Sequence, residues 1–212
     1  MTQAPEDPRP YALILAGGLG RRMEAEALGA PAKPLVPLAG RPLITHVIER
    51  MRPQVRELWI NANTAGDAFA AFGCPVLPDS IAGFPGPLAG VLAGLDHLAD
   101  VAPDADLLTV PADTPFLPPD LAQRLVGRRR QCGSVVCAGS GGQRHPVIAV
   151  WPATARTALR QSLTMGRLKV GLLLEHLNAV TENWDTTPDD PFFNVNTPEE
   201  LAIAQIRASA RQ

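Results

Sequence analysis

Near its N-terminus the chain reads YALILAGGLGRRM over residues 11–23, an apolar strand pattern that passes directly into a glycine-rich turn and two arginines. Glycine has no Cβ, so the backbone N–H groups of such a turn can approach phosphate oxygens closely. Arg21, Arg22 and the later Lys33 can neutralise phosphate charge. Because open α/β sheets bind ligands where a strand ends in such a turn, this stretch predicts an α/β fold with a site for a nucleoside triphosphate.

The spacing of the glycines excludes two better-known phosphate loops. A P-loop needs Lys-Ser or Lys-Thr directly after the second glycine of G-x-x-x-x-G, and the chain has no such motif. The dinucleotide fingerprint needs G-x-G-x-x-G, whereas this turn runs Gly17-Gly18-Leu19-Gly20 into the arginines. The glycines alone are equally compatible with a tight strand–helix turn that carries exposed arginines.

The bulk composition is that of a globular protein, and the length fits one domain or two small ones. Of the 212 residues, 46% are hydrophobic, and the mean hydropathy is +0.03. These values exclude a chain that is disordered throughout. We expect residues 1–10, which are polar, acidic and proline-rich, to form a disordered N-terminal extension, and residues 11–212 to form a single domain.

Charge and cysteine content narrow the expected partners and compartment. The formal net charge of −2 leaves no basic footprint, so a nucleic acid is not an expected partner. No apolar run approaches the length of a membrane span, and residues 1–10 make no signal peptide, so no membrane association is expected. The three cysteines, Cys74, Cys132 and Cys137, lack C-x-x-C spacing, which argues against a zinc site or a disulfide framework and favours a reducing, cytoplasmic compartment.

Short apolar runs alternate with helical patterns along the chain. This alternation predicts a mostly parallel sheet with helices on both faces. We expect strands at 11–16, 58–62, 76–77, 107–110, 134–138, 147–151 and 179–183, and helices at 43–51, 67–72, 88–98, 120–126, 154–162 and 168–177.

Two helix ends carry signals of their own. The last helix is expected to begin after Thr197, a good N-cap that is followed by Pro198 and, three residues after the cap, by Glu200. Gly127 is expected to end an earlier helix, which makes the basic run 128–130 a solvated helix terminus.

Polar residues follow the predicted strands where those strands end. Asp113 comes just after strand 107–110, Asp79 follows strand 76–77, and Asn61 falls in the last part of strand 58–62. The carboxyl ends of parallel strands share one edge of a sheet, so these residues and the Gly17 turn are expected to form the rim of one site. A carboxylate in the position of Asp113 can hold Mg²⁺ together with phosphates, although a simple turn aspartate is the alternative.

Three further segments are candidates for the same site. The loop GFPGPLAG at 83–90 opens a helix whose free N–H groups can face an anion or a base edge. Arg144 and His145, in a predicted loop, can place a cation and an imidazole beside a second substrate, although a structural histidine is the commoner case. Asn194 can face the site, while Asn196 can bond the turn before the last helix. No Ser/His/Asp grouping stands out, so the residues favour phosphate chemistry by positioning and charge neutralisation.

Taken together, the motifs resemble those of the molybdenum cofactor guanylyltransferases, within the nucleotidyltransferase superfamily. The matching motifs occur in family order over residues 11–201. They are Leu15-Ala16-Gly17-Gly18, Arg22-Met23, Lys33, Gly40-Arg41-Pro42-Leu43, Asn61-Ala62-Asn63, Asp79, Gly86-Pro87-Leu88-Ala89-Gly90, Ala112-Asp113-Thr114-Pro115 with Pro118, His145-Pro146 and Phe193-Asn194-Val195-Asn196-Thr197-Pro198.

The resemblance implies a Rossmann-like α/β domain that transfers GMP from GTP to molybdopterin and releases pyrophosphate. It implies that Mg²⁺ is the cofactor and that Asp113 is its ligand, and it suggests transient contacts with cofactor-biosynthesis proteins and molybdoenzymes. The residues implied to bind GTP are Leu15, Ala16, Gly17, Gly18, Lys33, Asn61, Asp79 and Asp113; those expected to act in catalysis are Arg22, Lys33 and Asp113. By position alone, the candidates for contact with the acceptor are Arg144, His145, Asn194 and Asn196.

The chain departs from the family pattern between the arginines and the lysine. The family often has a short Gly-Gly-x-Asp-Lys run after Arg-Met, whereas here residues 24–32 form a longer segment that ends in Pro31-Ala32-Lys33. The lysine is retained, and the aspartate before it is not.

Three other functions remain open at the level of sequence. A related nucleotidyltransferase could use CTP, with molybdopterin or another phosphorylated acceptor, because charge and spacing do not select the base. A regulator could bind nucleotide without catalysis, and a carrier could hold the pterin for other enzymes. Retention of Arg22, Lys33 and Asp113 argues against the regulator, because a binder need not keep both the cations and the metal ligand.

Overall fold

A computed structural model of the protein describes residues 9–17, 32–63, 66–81, 83, 86–167 and 169–210. The predicted N-terminal extension lies outside these ranges, apart from Arg9 and Pro10. Two of the predicted site residues, Gly18 and Arg22, also lie outside the described residues.

Strands and helices alternate along the described chain as the apolar runs predict, with shifted ends. A short hairpin, β2–β3, is an element that these runs did not predict. The strands are β1 (Tyr11–Leu15), β2 (Pro37–Leu38), β3 (Arg41–Pro42), β4 (Glu57–Asn61), β5 (Val76–Leu77), β6 (Leu107–Pro111), β7 (Val136–Ser140), β8 (Gln143–Trp151) and β9 (Val180–Trp184). The helices are α1 (Leu43–Met51), α2 (Gly66–Ala70), α3 (Pro87–Val101), α4 (Leu121–Cys132), α5 (Ala155–Thr164), α6 (Val170–His176) and α7 (Pro198–Ser209).

Seven of these strands form one sheet in the order β5-β4-β1-β6-β8-β7-β9. Only β8 runs antiparallel to its neighbours, β6 and β7, so the prediction of a mostly parallel sheet is confirmed. Because β1, β4, β5 and β6 are parallel, their carboxyl ends open on the same edge of the sheet. Within the described residues, no helix is long and apolar enough to cross a membrane.

Both faces of the sheet are covered by apolar packing, as expected for a parallel sheet buried between helices. On one face Ile14 of β1 belongs to a cluster with residues of α1 and α4. On the other face Leu13 belongs to a cluster with residues of α3, α5 and α6. Alternate side chains of one strand therefore enter two separate cores, and burial of each large aliphatic side chain contributes about 1.5–3 kcal/mol.

Helix α4 does not end at Gly127, so the predicted helix end there is wrong. It runs on to Cys132, and Gly133, with φ +72°, forms its C-cap. A glycine inside a helix lowers its stability by only about 1 kcal/mol relative to alanine. The arginines that follow are good helix formers, so the helix continues through Gly127. The solvated terminus predicted for the arginine run is also wrong for Arg129, whose guanidinium lies 3.4 Å from the largely buried carboxylate of Asp106.

The predicted loop around His145 is instead part of a long strand. Gly141 and Gly142, with φ of +54° and +77°, form a two-residue hairpin turn between β7 and β8, as Gly-Gly pairs do in turns that need positive φ. Residues 144–146 therefore lie in β8. The ladder shifts between Cys137 and Ala138, and an irregular ladder of this kind accommodates a proline such as Pro146 that has no N–H to donate.

We expect two glycine substitutions in and after α4 to have opposite effects on stability. Gly127→Ala should raise the free energy of unfolding by about 0.5–1 kcal/mol, because it replaces a helix-interior glycine whose added Cβ would meet no atom within 4 Å. Gly133→Ala should lower it by about 1–2 kcal/mol, because the position is left-handed. Urea unfolding of both variants measures this; destabilisation by Gly127→Ala would contradict a continuous α4.

Candidate active site

The carboxyl ends of the central parallel strands meet at one edge, and backbone bonds extend their ladders beyond the strands. The N–H of Ala16 donates to the carbonyl of Asn61 at 2.9 Å, and the N–H of Ala112 donates to the carbonyl of Leu15 at 3.1 Å. The turn that leads to Gly17 is therefore held between the ends of β4 and β6. This is the place that the sequence predicts for the phosphate-binding turn.

Asn61 and Asp79 form a hydrogen-bonded pair on the β4–β5 side of this edge. The buried Asn61 amide donates to Asp79 Oδ1 at 2.9 Å and to the carbonyl of Leu77 at 3.1 Å. Asn63 donates from its amide to Asp79 Oδ2 at 2.7 Å and accepts the Asp79 N–H at 2.8 Å. Both carboxylate oxygens of Asp79 are thus engaged, and the pair is fixed in one orientation.

Helix α3 begins directly against these strand ends, and Gly90 makes the close approach possible. A Cβ on Gly90 would lie 2.2 Å from Asn61 Oδ1 and 2.8 Å from Leu15 Cδ2, so no larger residue fits without moving the site. A Cβ on Gly17 would lie 3.3 Å from the same Asn61 oxygen. The first turn of α3 therefore packs directly against these strand ends.

Lys33 and Asp113 form an ion pair at the end of β6. The ammonium of Lys33 contacts Asp113 Oδ2 and also donates to Asn196 Oδ1 at 2.5 Å. The two charged side chains are 15% and 19% exposed. The structure thus brings together three predicted site residues that are separated by 80 and 83 positions in the chain.

The second oxygen of Asp113 distinguishes this carboxylate from a simple ion-pair partner. Oδ1 is buried, and within the described part of the chain it has no hydrogen-bond partner. A buried acceptor without a partner costs free energy that a ligand can recover. A carboxylate oxygen is the ligand type that Mg²⁺ prefers, so the donor fits this ion. Over the same described ranges, no group of three or more His, Cys, Asp or Glu side chains converges, so Asp113 would hold the ion together with substrate oxygens.

A small apolar cluster beneath the ion pair aligns the three segments that supply it. The cluster contains residues that lie within five positions of each polar site residue: Val36 and Leu38 after Lys33, Phe116 after Asp113, and Val195 before Asn196. Leu43 of α1 and Ala204 of α7 complete its buried core. Burial of these neighbours fixes the backbone from which the polar side chains project.

Residues 190–197, here called the strap, cross from β9 to α7 over this edge. The N–H of Val195 donates to the carbonyl of Asp113 at 2.9 Å, and Thr114 Oγ1 donates to Asn194 Oδ1 at 2.5 Å. Asn194 and Asn196, on alternate positions, therefore lie beside Thr114 and Lys33. The side chain of Asn196 was expected to bond the turn locally, but its oxygen accepts from Lys33 instead. The backbone N–H of Asn196 is the group that bonds locally, to Glu200 Oε2.

His145 on β8 is tied to the start of the strap. Its Nε2 lies 2.7 Å from Ser140 Oγ, which donates to Asp190 Oδ1 at 2.9 Å. Since that hydroxyl has one proton, His145 donates from Nε2, which leaves Nδ1 as an acceptor. Burial lowers the pKa of His145 below its ordinary value, with Asp190 acting in the opposite direction. The ring also packs on Phe192, with centroids 4.8 Å apart, whereas Arg144 on the same strand is exposed.

Two residues with clear contacts were absent from the predicted site. Asn63 fixes Asp79, and Thr114 fixes Asn194. Each lies within a motif that the sequence already marks, one or two positions from a predicted residue. Asn63 is two positions from Asn61, and alternation in an extended segment could have identified it.

Comparison with known proteins shows the family to which the chain is similar. A family model described as a MobA-like NTP transferase domain matches residues 12–180. The chain is 46% identical over 203 residues to a molybdenum cofactor guanylyltransferase of Rhodopseudomonas palustris strain BisB5, with 94% of each chain covered. It is 45% identical over 196 residues to a protein of the same name from Bradyrhizobium sp. strain ORS 278, covering 91% of this chain and 90% of that protein.

A solved structure shares the fold. The molybdopterin-guanine dinucleotide biosynthesis protein A of Archaeoglobus fulgidus superposes with a TM-score of 0.74 at 24% sequence identity, covering 94% of this chain and 99% of that one. The family model, the level of identity to the relatives and the near-complete coverage lead to one conclusion: the chain belongs to the molybdenum cofactor guanylyltransferase family of MobA-like NTP transferases.

Proposed function

We propose that this enzyme transfers GMP from GTP to the terminal phosphate of molybdopterin, in its molybdenum-bearing or metal-free form. The products are a guanine dinucleotide cofactor and pyrophosphate. The observation that carries the proposal is the Lys33–Asp113 pair at the carboxyl edge of the sheet, in which one carboxylate oxygen has no partner among the described residues. The names of relatives that are 45–46% identical support the choice of substrates.

The reaction needs positioning and charge neutralisation more than it needs a nucleophile from the protein. A phosphate oxygen of the acceptor forms a bond to the α-phosphorus of GTP, and the bond to the leaving pyrophosphate breaks in line. A phosphate monoester is already ionised near neutral pH, so no strong general base is required. The Lys33 ammonium is suited to stabilise negative charge on the transferring and leaving groups, and Arg22 is proposed to assist it.

Asp113 is proposed to hold Mg²⁺ through Oδ1, the oxygen that has no partner among the described residues. When bound, the ion supplies positive charge that neutralises phosphate oxygens. Lys33 on the other carboxylate oxygen keeps the aspartate oriented.

The nucleotide is proposed to lie against the turn at Leu15–Gly17, with the fixed pair of Asn61 and Asp79 as the wall on the β4 side. Asn61 also contacts the first turn of α3, so the strand end and the helix would present one rigid surface to the nucleoside.

The acceptor is proposed to approach along the strap. Asn194 and Asn196 use their side-chain oxygens for Thr114 and Lys33, so each amide NH₂ is the group that can donate to the phosphate or the pterin. Arg144 and His145 on β8 are proposed to contact the pterin, with Nδ1 of the neutral imidazole as an acceptor. We further propose that the enzyme acts in the cytoplasm, with transient contacts to cofactor-biosynthesis proteins and to molybdoenzymes.

Pyrophosphate release by the purified protein tests the reaction and the base. With Mg²⁺ and molybdopterin, we expect release from GTP and not from CTP, ATP or UTP, and no release from GTP when the pterin is omitted. Release from CTP would show that the base is cytosine and not guanine, and the proposed nucleotidyl-transfer mechanism would still hold. Nucleotide binding without release would contradict catalysis and favour the regulator, and pterin binding without nucleotide use would favour the carrier.

Lys33→Ala should lower turnover by at least ~10²-fold, the scale for loss of one group that stabilises transition-state charge. The matched control is Lys169→Ala, because Lys169 is the only other lysine of the chain and is exposed. Single-turnover rates at saturating GTP measure the effect. Near-normal turnover of Lys33→Ala would remove its catalytic role.

Asp113→Asn should raise the Mg²⁺ concentration for half-maximal rate by at least ~10-fold, since changes even to the partners of metal ligands typically cost 10–100-fold in affinity or activity. The control is Asp104→Asn, because Asp104 is an exposed carboxylate that lies before the opposite end of β6. Titration of pyrophosphate release with MgCl₂ gives both values. An unchanged Mg²⁺ midpoint in Asp113→Asn would place the ion elsewhere.

A further inference from the structure

Glu200, in the first turn of α7, makes more bonds than a helix cap requires. The capping box is present: Thr197 Oγ1 accepts the Glu200 N–H at 3.2 Å, and Glu200 Oε2 accepts the Thr197 N–H at 2.9 Å. The same Oε2 also accepts the N–H of Asn196, at 2.6 Å. A capping box satisfies only the N-cap N–H, so the bond to Asn196 is additional.

This additional bond lies one residue from the ion pair of the site. Asn196 Oδ1 accepts from the Lys33 ammonium at 2.5 Å. The peptide before it is anchored as well, because the Val195 N–H donates to the carbonyl of Asp113 at 2.9 Å. The backbone around Asn196 is therefore held on one side by Asp113 and on the other by Glu200.

Fixing a backbone on both sides fixes the direction of the Cα–Cβ bond that it carries. Bonds from N–H groups to a carboxylate are stronger than neutral ones, and the positive end of the α7 dipole favours the Glu200 charge. The orientation of the Asn196 amide, and through it the location of the Lys33 ammonium, thus depends on one carboxylate that touches neither Lys33 nor Asp113 in the contacts described.

We propose that Glu200 is a positioning residue for nucleotidyl transfer, which acts through Asn196 to hold Lys33 at the reacting phosphates. The proposal rests on the proposed function for its catalytic consequence. Its structural half, that Glu200 restrains Lys33, can be measured without any substrate.

The first test reads Lys33 directly. Acylation with limiting acetic anhydride, followed by mass spectrometry of digested protein, compares Lys33 with Lys169, the exposed and only other lysine. Glu200→Ala should raise the Lys33 to Lys169 labelling ratio by roughly three- to tenfold, the protection that one hydrogen bond of ordinary net strength gives. Glu200→Gln, whose amide oxygen can accept the same two N–H groups, should restore the wild-type ratio.

Two control variants separate positioning from helix stability. Thr197→Ala removes the other half of the capping box and leaves the Asn196 N–H bond, so it should weaken α7 without changing the labelling ratio. Glu199→Ala removes a neighbouring first-turn carboxylate and should also leave the ratio unchanged. Glu200→Asp keeps the charge but shortens the reach, and it replaces Glu200→Ala if the alanine variant does not fold. Thermal unfolding establishes which variants are folded at the assay temperature.

The second test reads catalysis. Glu200→Ala should lower kcat by about 10- to 100-fold, the scale of a misplaced catalytic group, with a smaller change in the KM for GTP. Combined with Asn196→Ala, the loss should not exceed the larger of the two single losses, because both act on one element.

The outcomes discriminate between the two proposals. Multiplied losses in the double variant, or equal labelling ratios in Glu200→Ala and wild type, would overturn the positioning role. If Glu200→Ala and Thr197→Ala raise the labelling ratio equally, Glu200 acts only as a helix cap. If Glu200→Ala raises the labelling ratio and Glu200→Gln restores it, but the wild-type protein releases no pyrophosphate, the proposed function is refuted and the restraint on Lys33 stands.

Discussion

The ion pair between Lys33 and Asp113 is the interaction on which the rest of the site depends. Both charges are mostly withdrawn from water, and each would be costly to hold there without the other. Their mutual attraction uses only one of the two Asp113 oxygens. Among the described residues Oδ1 has no partner, so this oxygen is able to bind a cation without first breaking the pair.

The fold delivers these groups to one place by different means. Asp113 is placed by the sheet, since every parallel strand opens on the same edge. Lys33 and Asn196 arrive from outside the sheet. The apolar cluster around Leu38, Phe116 and Val195, together with polar contacts such as the Val195 N–H bond to the Asp113 carbonyl, ties their segments to it. The positions of the polar groups thus depend on how this cluster packs, and a small change in the cluster would move Lys33, Asp113 and Asn196 together.

Local patterns in the sequence predicted the elements and the residues at strand ends, because both depend on short-range periodicity. They failed where a local signal was ambiguous. Gly127 is of the residue type that often ends a helix, but it lies within α4, because the left-handed C-cap is at Gly133. Gly141 and Gly142 turn the chain so tightly that the predicted loop around His145 becomes a strand.

Long-range partners could not be predicted from the same patterns. The partner of Asn196 is Lys33, 163 residues away, and no periodicity connects them. The capping box at Thr197 was predictable because its two members are three residues apart. The second bond of Glu200, to Asn196, depends on how the strap crosses Asp113, which only the folded chain defines.

The two helices that begin at this edge differ in how their first N–H groups are satisfied. Helix α7 is closed by the Thr197–Glu200 box, so its terminus serves to anchor the strap. Helix α3 begins at Pro87, and its N-cap, Gly86, has no side chain that could accept the first N–H groups; its first turn packs directly on Asn61. Unsatisfied N–H groups at a helix start attract anions. Under the proposed function this difference gives the two helices different roles: α7 orients Lys33, and the first turn of α3 is open to the nucleotide.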